Sequence, residues 1–136
     1  MTRDADIKLF LRAADQRLLA AEILFENQLF LDATYLGGYA PECALKALLL
    51  SQMPAKARQS YMKSRFRGVL AHNIDWLCGQ LRRWKVSLPL PIIESVQIVQ
   101  MWTPEMRYGS GLGNAKDTRQ FLNSTRTILD WVKRSL

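Results

Sequence analysis

Residues Tyr35 to Leu50, reading YLGGYAPECALKALLL, are apolar on nearly every side. A helix that is hydrophobic all round has to lie at the centre of its domain, so the rest of the chain must wrap around it. Yet Glu42 and Lys46 sit within it, one helical turn apart. Charges at that depth are costly unless they pair with each other or with a partner. Tyr35, Tyr39, Glu42 and Lys46 fall on one stripe, because residues three and four apart are neighbours on a helix. Two readings follow: an ion pair that closes a core helix, or a polar seam turned toward a partner. Pro41 lies in the same stretch and removes the hydrogen bond to the carbonyl of Gly37. Gly37-Gly38 gives the backbone room to bend, so the expectation is a kink between Gly37 and Pro41, not a break.

The remaining periodicities are also helical. Ile7, Phe10, Leu11, Ala14, Leu18, Ala21 and Phe25 predict a first helix over about Asp4 to Asn27. The central helix should run from about Leu31 to Gln52, with Pro54 enforcing the stop. Mixed charge and poor periodicity from Ala55 to Ala71 predict a loop, with a short helical turn near Gln59 to Ser64. A third helix starts at His72 or Asn73, with Asn73 as its cap, and turns Trp76, Leu77, Leu81 and Trp84 inward. Pro91 suits the first turn of a fourth helix, which carries Ile92, Val96, Val99 and Trp102 and ends before Pro104. Gly109 to Asn114 reads as a loop. The last helix, about Ala115 to Arg134, buries Phe121, Leu122, Thr125, Ile128, Leu129 and Val132. The predicted fold is all-α: one domain over residues 1–136, an up-and-down helical bundle of four to five helices.

Charge narrows the class of partner. The net charge is +7. From Pro54 to Lys85 there are eight basic residues (Lys56, Arg58, Lys63, Arg65, Arg67, Arg82, Arg83, Lys85) against one acid, Asp75, and the rest of the chain carries eleven of each sign. A loop can be solvated by either sign, so a one-sided excess in about a quarter of the chain points to an anionic partner such as nucleic acid. Nothing reads as a membrane span or a secretory leader, so a cytoplasmic protein is expected. Cys43 and Cys78 lie in apolar helical patterns and read as buried free thiols. One histidine rules out His-pair metal sites, and no metal or cofactor is expected. GSGLG at Gly109 to Gly113 lacks the strand or the Gly-Lys-Ser/Thr that a phosphate cradle requires, and reads as a connector.

Three pieces of the chain, in order, resemble a known family. Tyr35 to Leu50 is similar to the second helix of HEPN domains, which are small helical bundles. His72-Asn73-Ile74-Asp75-Trp76-Leu77 is similar to the His-Asp-Leu-x-x-Leu opening of their third helix, and Met106-Arg107-Tyr108 to an Arg-Tyr pair before their last. Two features depart from the family pattern. Pro41 stands where members usually carry a small or apolar residue, and the Arg-x4-His discussed next lies earlier than in the nuclease branch. The resemblance implies a role linked to RNA or nucleotides, homodimers, and often a small nucleotidyltransferase partner in toxin–antitoxin or defence pairs.

Many such proteins are ribonucleases with an Arg, four to six residues, then a His, and Arg67-Gly68-Val69-Leu70-Ala71-His72 fits that spacing. Cleavage by a neighbouring 2′-hydroxyl needs a group that moves a proton near neutrality, which histidine supplies. It also needs a fixed cation against the phosphate, which arginine supplies. The plainer reading is that a histidine at a helix start only caps or packs. Arg107 and Tyr108 could clamp a phosphate and stack on a base, or Arg107 could pair with Glu42 or another acid. Lys63 and Arg65 would add affinity for nucleic acid. Four tryptophans and long apolar faces exceed what a small bundle easily hides, so a homodimer is expected. Two functions stay in view: an RNA- or nucleotide-binding module with metal-independent ribonuclease activity as its stronger form, or a non-catalytic module docking an acidic partner.

Overall fold

A computed structural model describes residues 5–102 and 113–136. Its elements are α1 (Ala5–Glu26), α2 (Phe30–Gly37), α3 (Tyr39–Ser51), α4 (Ala55–Arg65), a 3-10 turn (Val69–His72), α5 (Ile74–Arg83), α6 (Leu90–Val99) and α7 (Ala115–Ser135). No strand occurs among the described residues, and none of their helices is long and apolar enough to cross a membrane. The all-α expectation holds.

Helix α3 is the hub, as its all-round apolarity requires. Ten of its thirteen residues are buried, and it touches α1, α7 and α5. Helix α1 buries Ile7, Ala14, Leu18 and Ala21 in the core. Helix α7 contributes Phe121, Leu122, Thr125, Ile128, Leu129 and Val132, all six of the predicted residues. Asn73 caps α5: its side-chain oxygen accepts from the Trp76 amide at 2.8 Å.

The stretch expected as one kinked helix from about Leu31 to Gln52 is divided at Gly38 into two. Gly38 alone separates α2 from α3, and its φ of −65° and ψ of −21° are still right-handed helical. Its amide donates to the Thr34 carbonyl at 3.0 Å, so the ladder is interrupted without unwinding. The gap is filled by Trp102, whose Nε1 donates to the Tyr35 carbonyl at 2.7 Å. The Trp102 indole also lies 4.8 Å from the Tyr39 ring, edge-on. A Cβ on Gly38 would land on that indole, and one on Gly37 would come 2.8 Å from Leu122 Cδ2. Gly38→Ala must therefore expel a rigid ring together with its hydrogen bond. We expect a loss of about 3 kcal/mol, the upper part of the range for overpacking, read as a shift in the urea midpoint.

Three expectations need correction. Ala55 to Arg65 is a helix of eleven residues, not a loop with one turn. It buries no residue fully, so no apolar stripe announced it. Strong helix formers and the Pro54 cap shape it, while Lys63 and Arg65 suit its negative C-terminal end. Tyr61 and Phe66 fasten it, through edge contacts between Tyr61 and Phe66 and between Phe66 and Phe10. This helix and the Gly38 interruption bring the described residues to seven α-helical segments, against the four to five expected. Trp84 is the third correction: it was expected inward and is 39 % exposed, because α5 ends at Arg83 and the chain turns away through Lys85 at φ 66°. Arg107, Tyr108 and Gly109 to Leu112 lie outside the described residues.

Candidate functional site

The site starts from the buried charges of α3. Glu42 stands in the first turn of that helix, where the positive end of the dipole favours a carboxylate. Its Oε2 accepts from Lys46 Nζ at 2.8 Å, with both side chains more than nine-tenths buried. The Lys46 ammonium lies 5.1 Å from the Phe66 ring centroid and 5.9 Å from that of Phe10. The two rings cover the cation with their electron-rich faces and keep water from it. The same stripe carries Tyr35 and Tyr39, whose hydroxyls meet at 3.0 Å.

Glu42 has a second partner. His72 closes the 3-10 turn before Asn73, and its Nδ1 lies 3.1 Å from Glu42 Oε1 and 3.2 Å from Oε2. A carboxylate paired with an ammonium can only accept, so Nδ1 carries the hydrogen and Nε2 of the neutral ring carries the lone pair. The His72 side chain is 47 % exposed, against 5 % for Glu42. One nitrogen is thus anchored in the core while the ring reaches solvent. A buried carboxylate, itself held by Lys46, orients the chain's single histidine.

The cations of α4 and of the segment after it divide into fixed and free. Arg58 Nε donates to the Leu50 carbonyl at 2.9 Å and so closes the end of α3. Lys63, Arg65 and Arg67 are exposed, and none makes a hydrogen bond or ion pair among the described residues. Arg67 is followed by Gly68, which lies between the two members of the Arg-x4-His pair and has a φ of 81° that favours glycine. The structure joins His72 to Glu42 and Lys46. It forms no bond between His72 and Arg67.

The sequence reading missed two things. The Glu42–His72 contact spans thirty residues and leaves no trace in local spacing. The other is a cleft between α4 and α5 lined by Tyr61, Arg65, Gln80, Arg83 and Trp84. Its signal was there in part, since Tyr61 and Arg65 are four apart, and Gln80, Arg83 and Trp84 lie at i, i+3 and i+4. Neither cysteine belongs to a site: burial pushes the thiols of Cys43 and Cys78 up to about 11. At neutral pH only about one thiol in 10⁴ is then ionised, and both should resist iodoacetamide until the protein is unfolded. No group of three or more His, Cys, Asp or Glu among the described residues could hold a metal.

A family described as HEPN domain matches residues 7–135, nearly the whole chain. No curated protein and no solved structure matches it.

Proposed function

The chain belongs to the HEPN family, and on that premise we propose that it binds single-stranded RNA along its basic α4–α5 edge and cleaves it without a metal. The observation that carries this reading is His72, half-exposed, with Nδ1 anchored on the buried Glu42 carboxylate. In this reaction Nε2 of His72 takes the proton of a ribose 2′-hydroxyl. The 2′-oxygen forms a bond to the adjacent phosphorus, and the bond from phosphorus to the 5′-oxygen breaks. That oxygen leaves with a proton from solvent, His72 returns its own proton to solvent, and a 2′,3′-cyclic phosphate remains. Arg67, free of other bonds, supplies the cation against the phosphate oxygens. Lys63 and Arg65 hold neighbouring phosphates.

The test is a defined single-stranded RNA incubated with the protein in excess EDTA. Fragments ending in a 2′,3′-cyclic phosphate support the reaction, and an intact RNA after long incubation removes it. Binding is read separately, by titration at several salt concentrations. Lys63→Gln and Arg65→Gln should each weaken retention for every sequence alike and reduce the salt slope by about 1. Arg107 and Tyr108 belong to the same proposal as an additional phosphate clamp and stacking ring.

One observation favours a protein partner as well. Leu9, Leu19 and Ile23 are exposed on α1 and fall within one sector of it. Exposed Arg12 and Gln16 share that sector, and a mixed apolar and polar face of that kind is suited to a second protein surface. A second copy of the chain would use it as a homodimer, and a small nucleotidyltransferase is the other partner proposed. Sedimentation of the protein alone distinguishes them, since a homodimer forms without any addition.

A further inference from the structure

Of the residues lining the cleft between α4 and α5, only Arg65 has a part in the reaction above. It holds about 340 Å³, near the lower end of the range for small-ligand sites, a size that suits one nucleotide. Its floor is fixed: Tyr61 Oη donates to Gln80 Oε1 at 2.9 Å. With that oxygen occupied, the Gln80 amide NH₂ is left to donate. Arg65 and Arg83 stand on the two facing helices, and neither makes an ion pair among the described residues. Both arginines line the cleft; burial pushes the Tyr61 hydroxyl up, and the two guanidinium charges partly offset that push. Cations in the last turns of helices can merely complement the dipoles. The turn at Lys85 also leaves Trp84 beside them, 39 % exposed, so that an aromatic surface and two cations share one cleft.

We infer that this cleft receives one nucleoside monophosphate unit, with its base stacked on Trp84 and its phosphate held between Arg65 and Arg83. The Gln80 amide donates to an acceptor on the base edge. An indole face with arginines beside it is the arrangement that holds bases of single-stranded nucleic acid, since every base has a face to stack. The inference deepens the RNA reading and rests on it for the source of the ligand, but the cleft can be tested with free nucleotides.

The experiment compares AMP, ribose 5-phosphate and a short single-stranded RNA, titrated against the wild type, Trp84→Leu and Arg65→Gln/Arg83→Gln. Circular dichroism is used to check that each variant folds. AMP should bind and ribose 5-phosphate should bind more weakly. Trp84→Leu should lower affinity for both AMP and the oligonucleotide by about 5- to 100-fold, the range for losing one stacked base. Trp84→Phe should restore part of it. His72→Ala should leave AMP binding as it was. Equal binding of AMP and ribose 5-phosphate, or Trp84→Leu binding both nucleotide ligands like wild type, overturns the inference. RNA that is bound but never cut sinks the ribonuclease reading and leaves the cleft standing. AMP bound in the cleft with no affinity for RNA confirms the site and rejects RNA as its source.

Discussion

His72→Ala is expected to lower cleavage of single-stranded RNA by roughly 10²- to 10⁴-fold, the usual contribution of a positioned proton-transfer group. RNA affinity should stay within about twofold, because the exposed cations of α4 and the cleft remain in place. Stability should fall by only about 1 kcal/mol: the lost contact is one hydrogen bond whose outer partner is half in water. The variant therefore separates chemistry from binding and from folding. Equal cleavage rates for wild type and His72→Ala would assign any observed activity to a contaminant or another residue. His72→Asn keeps a polar side chain of similar reach but cannot take the proton, and should behave like alanine.

A proton-transfer group acts through its orientation as much as through its identity. A histidine free in solvent samples many rotamers, and its Nε2 is near a given 2′-hydroxyl only part of the time. Here Nδ1 is held by an oxygen pair that Lys46 and the core hold in turn. Misplacement of a catalytic group by about an ångström can lower a rate on the order of 10²-fold. On the proposed reaction, Glu42 is a positioning residue. It touches no substrate, and its removal should lower the cleavage rate at saturating RNA with little change in the RNA concentration giving half that rate.

How much of this could be read from the chain differs by element. The hub helix was legible because its apolar residues leave no face free for water, and Glu42 and Lys46 four apart on it are neighbours by helix geometry alone. Asn73 was legible as a cap because its amide oxygen does a local job. Helix α4 was not legible: it buries nothing fully, and its helicity comes from propensity and the lean of Tyr61 and Phe66 on the bundle. Trp84 was misplaced for a related reason. Periodicity continues α5 one step past its end, whereas the turn at Lys85 stops it. The Glu42–His72 contact joins two segments whose approach is set by the whole bundle. Nothing local to either residue announces it.

The second large effect concerns the ion pair itself. Lys46→Met leaves the Glu42 carboxylate in the core with only a half-exposed imidazole beside it. Breaking a buried pair from one side typically costs about 3–5 kcal/mol, because the surviving charge has lost its compensation. Methionine fits the space between Phe10 and Phe66, so the loss should come from charge and not from a cavity. Glu42→Leu/Lys46→Met removes both charges and should recover most of that stability, since a well-packed apolar pair often equals a buried ionic one. Activity should move the other way. Lys46→Met, assayed where it is folded, keeps the carboxylate that anchors Nδ1 and should cut RNA. The double variant folds but leaves His72 unanchored, and its rate should fall on the order of 10²-fold. Urea unfolding of the two variants, set beside their cleavage rates, decides the matter. A double variant no more stable than Lys46→Met would mean that the pair holds α3 by packing alone, and one that cuts RNA at the wild-type rate would strip Glu42 of its positioning role.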